Sequence, residues 1–146
     1  MILEEHIEEA VKSLLSANAA IITMVAAGLV VRDFRDNSQA KASKMIVVHA
    51  EPAQRLAPNA NFWRVQVAVL CVTHQAVDKS RATCESIYQA AMSVVGAATK
   101  TTISAKLPAG SSVTIDGIVQ GPGEEGADES HQFITIKADI FATIAP

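Results

Sequence analysis

Four histidines, two cysteines and a scatter of carboxylates are the residues of this chain best equipped for chemistry, and their spacing limits what they can do. His6, His49, His74 and His131 form no His-x-x-x-His pair, and Cys71 and Cys84 form no Cys-x-x-Cys pair. The nearest approach to a metal pair is Cys71 with His74. In an extended run these positions face opposite sides, so they converge on tetrahedral zinc only if the strand ends or bulges between them. Cys84 falls on the apolar stripe of a helix, where a free thiol behaves as a small hydrophobe. The serines are read in loops and at helix starts with no Gly-x-Ser-x-Gly elbow, and the one serine beside a histidine, Ser130 before His131, falls in a loop. Asp116 and Asp139 are placed to meet across strands, but both lie on polar faces, where a solvated acid is the default. The run Gly121-Pro-Gly-Glu-Glu-Gly126 is glycine-rich, yet its two carboxylates would repel a phosphate. No catalytic residue, no metal centre and no cofactor are expected.

What remains are residues suited to contact. The polar segment 32–44 sets Arg32, Arg35, Lys41 and Lys44 against Asp33 and Asp36, and reads as a solvated loop or as a face toward phosphate or a second subunit. The stretch 121–130 concentrates Glu124, Glu125, Asp128 and Glu129, either as a flexible tip or as one that orders against a partner. Phe62 and Trp63 are adjacent on a strand and point opposite ways, so one core face cannot bury both rings; tryptophan is enriched at interfaces. Lys137 and Asp139 lie on the polar side of the closing strand. A second acidic group, Glu4, Glu5, Glu8 and Glu9, fits the solvated first turns of a helix, where it complements the dipole, or an acidic docking surface.

Composition narrows the class further. The 146 residues suffice for one domain, residues 1–146, with a real core. Hydrophobic residues make up 49% but aromatics only 4%, which disfavours sugar binding and base stacking. A net charge of −3 supplies no field to attract nucleic acid. The longest apolar run, residues 19–31, is too short to span a bilayer, so no membrane role is expected. Two cysteines and no basic-flanked leader suit assembly in a reducing cytoplasm.

The elements that must position these residues follow from hydrophobic periodicity. Leu3, Ile7, Ala10, Val11, Leu14 and Leu15 form one stripe of a helix over 3–16. A helical turn then leads toward a strand within 19–31. Residues 45–50 form a short strand and 51–59 a proline-bounded break. The second long strand, 62–73, has Trp63, Val65, Val67, Val69 and Cys71 on one face. Its other face passes from Phe62, Arg64 and Gln66 to Ala68, Leu70 and Val72, which predicts a cover over part of its length only. Asp78 is the expected N-cap of an amphipathic helix to about Val95. Residues 99–110 read as a linker. Residues 112–120 alternate, with Val113, Ile115 and Val119 on one side and Thr114, Asp116 and Gln120 on the other. The chain closes on a strand over 131–144, with Ile134, Ile136, Ala138, Ile140, Ala142 and Ile144 inward and Thr135, Lys137, Asp139 and Thr143 outward. The predicted fold class is α+β: an antiparallel or mixed sheet, two main helices on one face, and a long C-terminal β-hairpin.

This order, with a helix opening Asp78-Lys-Ser-Arg-Ala-Thr-Cys-Glu-Ser-Ile-Tyr88 and a closing strand Phe133-Ile-Thr-Ile-Lys-Ala-Asp-Ile-Phe141, resembles the tail terminator (tail completion) proteins of long-tailed bacteriophages. The resemblance covers most of the chain and rests on size, element order and hydrophobic pattern. It implies a non-enzymatic virion protein of the tail or neck. Such a protein forms a ring, typically a hexamer, that caps the tail tube, halts its growth and joins tail to head. Its implied partners are further copies of itself, the tail tube protein, head–tail connector or neck proteins, and DNA passing through the lumen without specific binding. The competing expectation is a ligand-binding or enzymatic α+β domain with a pocket between helices and sheet.

Overall fold

The computed structural model describes residues 3–32, 44–57, 61–121, 123–127 and 130–145. Their elements run α1 (Leu3–Ser16), α2 (Ala19–Met24), a 3-10 turn (Ala27–Leu29), β1 (Val30–Arg32), β2 (Lys44–Ala50), β3 (Gln54–Arg55), β4 (Phe62–His74), α3 (Ala82–Ala97), α4 (Lys100–Ser104), β5 (Val113–Gln120), β6 (Glu124–Ala127) and β7 (His131–Ile144). The result is the expected α+β architecture, a mixed seven-stranded sheet in the order β1-β2-β4-β7-β5.

The two long strands form its spine. β4 and β7 pair antiparallel without interruption from Phe62↔Thr143 to His74↔His131. Each is flanked on its other side by two shorter strands in succession. β4 carries β2 and then β3; β7 carries β5 and then β6. β1 adds to β2 in parallel.

Alternation on these strands decides what packs where. Val65, Val67, Val69 and Cys71 of β4 and Ile136, Ala138, Ile140 and Ala142 of β7 meet Ile7, Val11 and Leu15 of α1 and Ile87, Ala91 and Val95 of α3 in one core. Both main helices therefore lie on one face, as the pattern predicts. On the reverse face, Val31, Met45, Val47 and Val72 form a second buried cluster with Leu70, Phe133 and Leu29 of the 3-10 turn, and neither main helix packs there. At the other end of that face Arg64 and Gln66 are exposed. The change of character read along this strand is thus real, and it separates an apolar end from a polar one.

Several elements depart from expectation. The proline-bounded break contains β3, which pairs with Trp63 and Arg64 beyond the end of β2; Pro58 and Asn59 lie outside the described residues. The supposed linker contains α4, closed by a capping box in which Thr99 and Thr102 exchange side-chain and backbone hydrogen bonds. Val119 does not face the core. A bulge between Ile115 and Gly117 inserts Asp116 as an extra residue, so the alternation reverses and Val119 becomes 58% exposed while Ile118 packs inward. Thr135, expected outward, is buried on the reverse face opposite Leu70.

Asp78 does not occupy the N-cap position. Arg81 does, with a left-handed φ of 64° and no side-chain cap. Asp78 still serves the helix end from a distance, accepting the amides of Thr83 and Cys84 at 3.1 and 2.8 Å. The glutamates of α1 are likewise more than solvated. Glu8 is buried, and Glu4 and Glu8 accept the backbone amides of Ala53 and Ala50 at 2.6 and 2.9 Å.

Candidate functional site

The sheet brings the contact candidates into two groups on opposite edges. The first lies where β3 meets the start of β4. Phe62 and Trp63 diverge as their spacing requires. Trp63 packs against the rim of the main core, and Phe62 stacks on Phe141 on the reverse face with ring centroids 6.2 Å apart. The Arg55 guanidinium sits 5.2 Å from the Trp63 ring centroid and donates to Asn61. Arg64 donates to Gln54 across the β3–β4 pair.

The second group is the acidic stretch. Its residues 124–127 form β6 against β7, with Gly126 opposite Phe133. The Phe133 ring lies over that glycine, and a Cβ there would come within 2.4 Å of the ring. Gly126→Ala is therefore expected to displace the ring and cost about 1 kcal/mol, the scale of mild overpacking; an unchanged urea midpoint would contradict this contact. β6 and α3 bound an open cleft of about 430 Å³ lined by Glu85, Tyr88, Gln89, Gly123, Glu124, Glu125 and Ile134. Lys137 pairs with Glu124 at 2.8 Å, and Arg81 stands 3.9 Å from Glu125. Asp139 is half-buried between Gln66 and Val119 in the ladder.

The basic segment divides differently. Arg32 is held inside the chain, with Nε 2.8 Å from Glu8 and Nη1 3.4 Å from Glu9. Partial burial works against its charge, and the Glu8 hydrogen bond and the nearby glutamates outweigh it, raising its pKa. Lys44 begins β2 opposite Thr73, half-buried. Arg35, Lys41, Asp128 and Glu129 lie outside the described residues.

One polar centre escaped sequence reasoning. Asp78, Thr73 and Gln132 are buried together between α3, β4 and β7. Thr73 donates to the Asp78 carboxylate at 3.0 Å, and Gln132 donates to Thr73 at 3.1 Å and to that carboxylate at 3.2 Å. Burial pushes the Asp78 pKa up, but the bonds from Cys84, Thr83, Thr73 and Gln132 overcome it and hold it below the ordinary carboxylate range. A fully bonded, closed carboxylate is a structural clasp and no general base. Burial also raises the Cys71 and Cys84 thiols, so both are poor nucleophiles. Among the described residues no cluster of three metal-ligating side chains exists. Asp116 accepts from Thr143 at 2.6 Å on the bulge.

The space between helices and sheet, bounded by Val11, Val67, Ile103, Ile136 and Ile140 among others, measures about 10 Å³. That is roughly the room of one water and is wholly apolar; the roomier space between a helix and the sheet is the open, polar-rimmed cleft of α3 and β6. No described helix is long and apolar enough to cross a membrane.

No family model matches the chain, and no curated protein matches it. Among solved structures it is similar to a chain of the "virion of native gene transfer agent (GTA) particle", at 16% identity and a TM-score of 0.65 over 93% of each chain. At that identity the likeness establishes a shared fold.

Proposed function

We propose that this chain is a single-domain, non-enzymatic structural protein of a tailed-phage-like virion. Within that class we read it as a tail terminator, forming a ring on the head-proximal end of the tail tube, stopping tube growth and joining tail to head. The observation that carries the reading is the end-to-end fold likeness to a virion chain, 93% of both molecules with no large unmatched domain on either. The buried cysteines and the filled main core are in keeping with a role in contact. Its partners are then further copies of itself, the tube protein and the neck proteins. A net charge of −3 suits a lumen through which DNA slides without being gripped. Assembly takes place in the host cytoplasm.

Tube polymerisation tests the reading. Tube protein growing alone gives long tubes of scattered length; adding this chain is expected to arrest elongation and leave a ring of density at one end. Unaltered tube lengths and bare ends in electron micrographs would rule out the terminator role.

A further inference from the structure

Two opposite edges of the sheet carry complementary surfaces at the same level along the strands. On one edge lie β3 and the start of β4, with Leu56 41% exposed, Arg55 exposed on the helix-bearing side over Trp63, and Arg64 exposed on the reverse side one strand in. On the other edge lies β5, with exposed Asp116 on the bulge, Val119 58% exposed, and Asp139 beside it. The register aligns them: Arg64 stands opposite Phe141, and Phe141 opposite Gly117, the residue after Asp116. Among the described residues β3 pairs only with β4 and β5 only with β7, so the outer side of each has no sheet neighbour. Open edges of this kind are where strands meet other chains unless something covers them.

We infer that the β3–β4 edge of one copy docks on the β5 edge of the next, with Arg55 and Arg64 facing Asp116 and Asp139 and with Leu56 and Val119 enclosed between them. The occupant is a second copy because each surface finds its complement in charge on the opposite edge of the same molecule. A two-fold pairing of either edge with itself would set like charges together. Head-to-tail contacts between edges at one level repeat without a built-in axial step, which favours closure into a ring. The inference rests on the self-assembly reading above and adds the surfaces that carry it.

Sedimentation velocity on the full chain tests it with charge reversal. Arg55→Glu with Arg64→Glu, and separately Asp116→Lys with Asp139→Lys, are each expected to weaken self-association at least about tenfold, the effect of placing like charges in an interface. Mixing the two variants is expected to restore an oligomer, because reversed edges then meet reversed edges and native edges meet native ones. Circular dichroism checks that each variant is folded. An oligomer unaffected by either reversal, or variants that dissociate but are not rescued by mixing, would overturn the assignment of these edges while leaving self-assembly standing. A parent chain that stays monomeric with and without tail tubes would overturn both. An independent measurement avoids charge changes: Leu56→Cys and Val119→Cys chains, mixed and treated with a short bis-maleimide, are expected to give a cross-linked dimer absent from either alone. Cys71 and Cys84, both fully buried, do not compete for the reagent. Absence of that dimer in an oligomeric sample contradicts the docking.

Discussion

Asp78→Ala is expected to lower folding stability by about 3 kcal/mol or more. The carboxylate is 5% exposed and accepts from the Thr83 and Cys84 amides, the Thr73 hydroxyl and the Gln132 amide. Truncation orphans these donors, and each one left buried costs about 1–3 kcal/mol. Asp78→Asn keeps the volume and one acceptor, so a smaller loss is expected. The same clasp gives a pH dependence of known sign. The folded pKa lies below the unfolded value of about 3.9. The contribution is therefore present above about pH 4 and is lost as pH falls through the folded pKa. Urea melts at stepped pH check this. The parent should lose stability on acidification with a component that Asp78→Asn lacks; parallel acid limbs, or an unchanged midpoint for Asp78→Ala, would refute the clasp.

The second large effect concerns the opposite end of the helical layer. Glu8→Ala is expected to cost about 2 kcal/mol, most of it from the Ala50 amide, which loses its acceptor in a buried setting. The Arg32 pair contributes less, because the arginine side chain is about one-third exposed and solvent screens it. The two parts separate cleanly. Glu8→Gln retains an acceptor for Ala50 and should recover about half the loss, and a double-mutant cycle with Arg32→Ala should give a coupling of about 0.5–1 kcal/mol. A coupling equal to the whole effect would show that the amide bond contributes nothing. Glu8 thus fastens α1 to the β1–β2 side of the sheet, as Asp78 fastens α3 to β4 and β7.

Most of the architecture was legible because alternation and helical stripes are strong signals over long elements. The helix Leu3–Ser16, the strand His131–Ile144 and the two-sided character of β4 are all written in apolar spacing. The misses share a cause. β3, β6 and α4 have two, four and five residues, too short for periodicity to register, and β3 and β6 exist only because a long strand offers them an open flank. Asp116 breaks the alternation of β5 by a bulge, for which the isolated Gly117 inside the strand is the local signal. Glu8 sits among acids that look solvated, and only the fold shows that a backbone amide waits opposite it. The Asp78 clasp joins residues 54 to 59 positions apart through Gln132, a contact that no local motif carries. Of the contact candidates, Trp63 and Phe62 were found by their adjacency. Arg55, Asp116, Leu56 and Val119 gained meaning only once the sheet placed them on its two opposite edges.

The central claim, that this chain works by assembling with copies of itself in a virion, is tested most directly by native mass spectrometry of the full chain alone and with purified tail tubes. The account predicts a discrete, closed multiple of 15.4 kDa, present in solution or formed on the tube end. A stable monomer under every condition, tubes included, would contradict it.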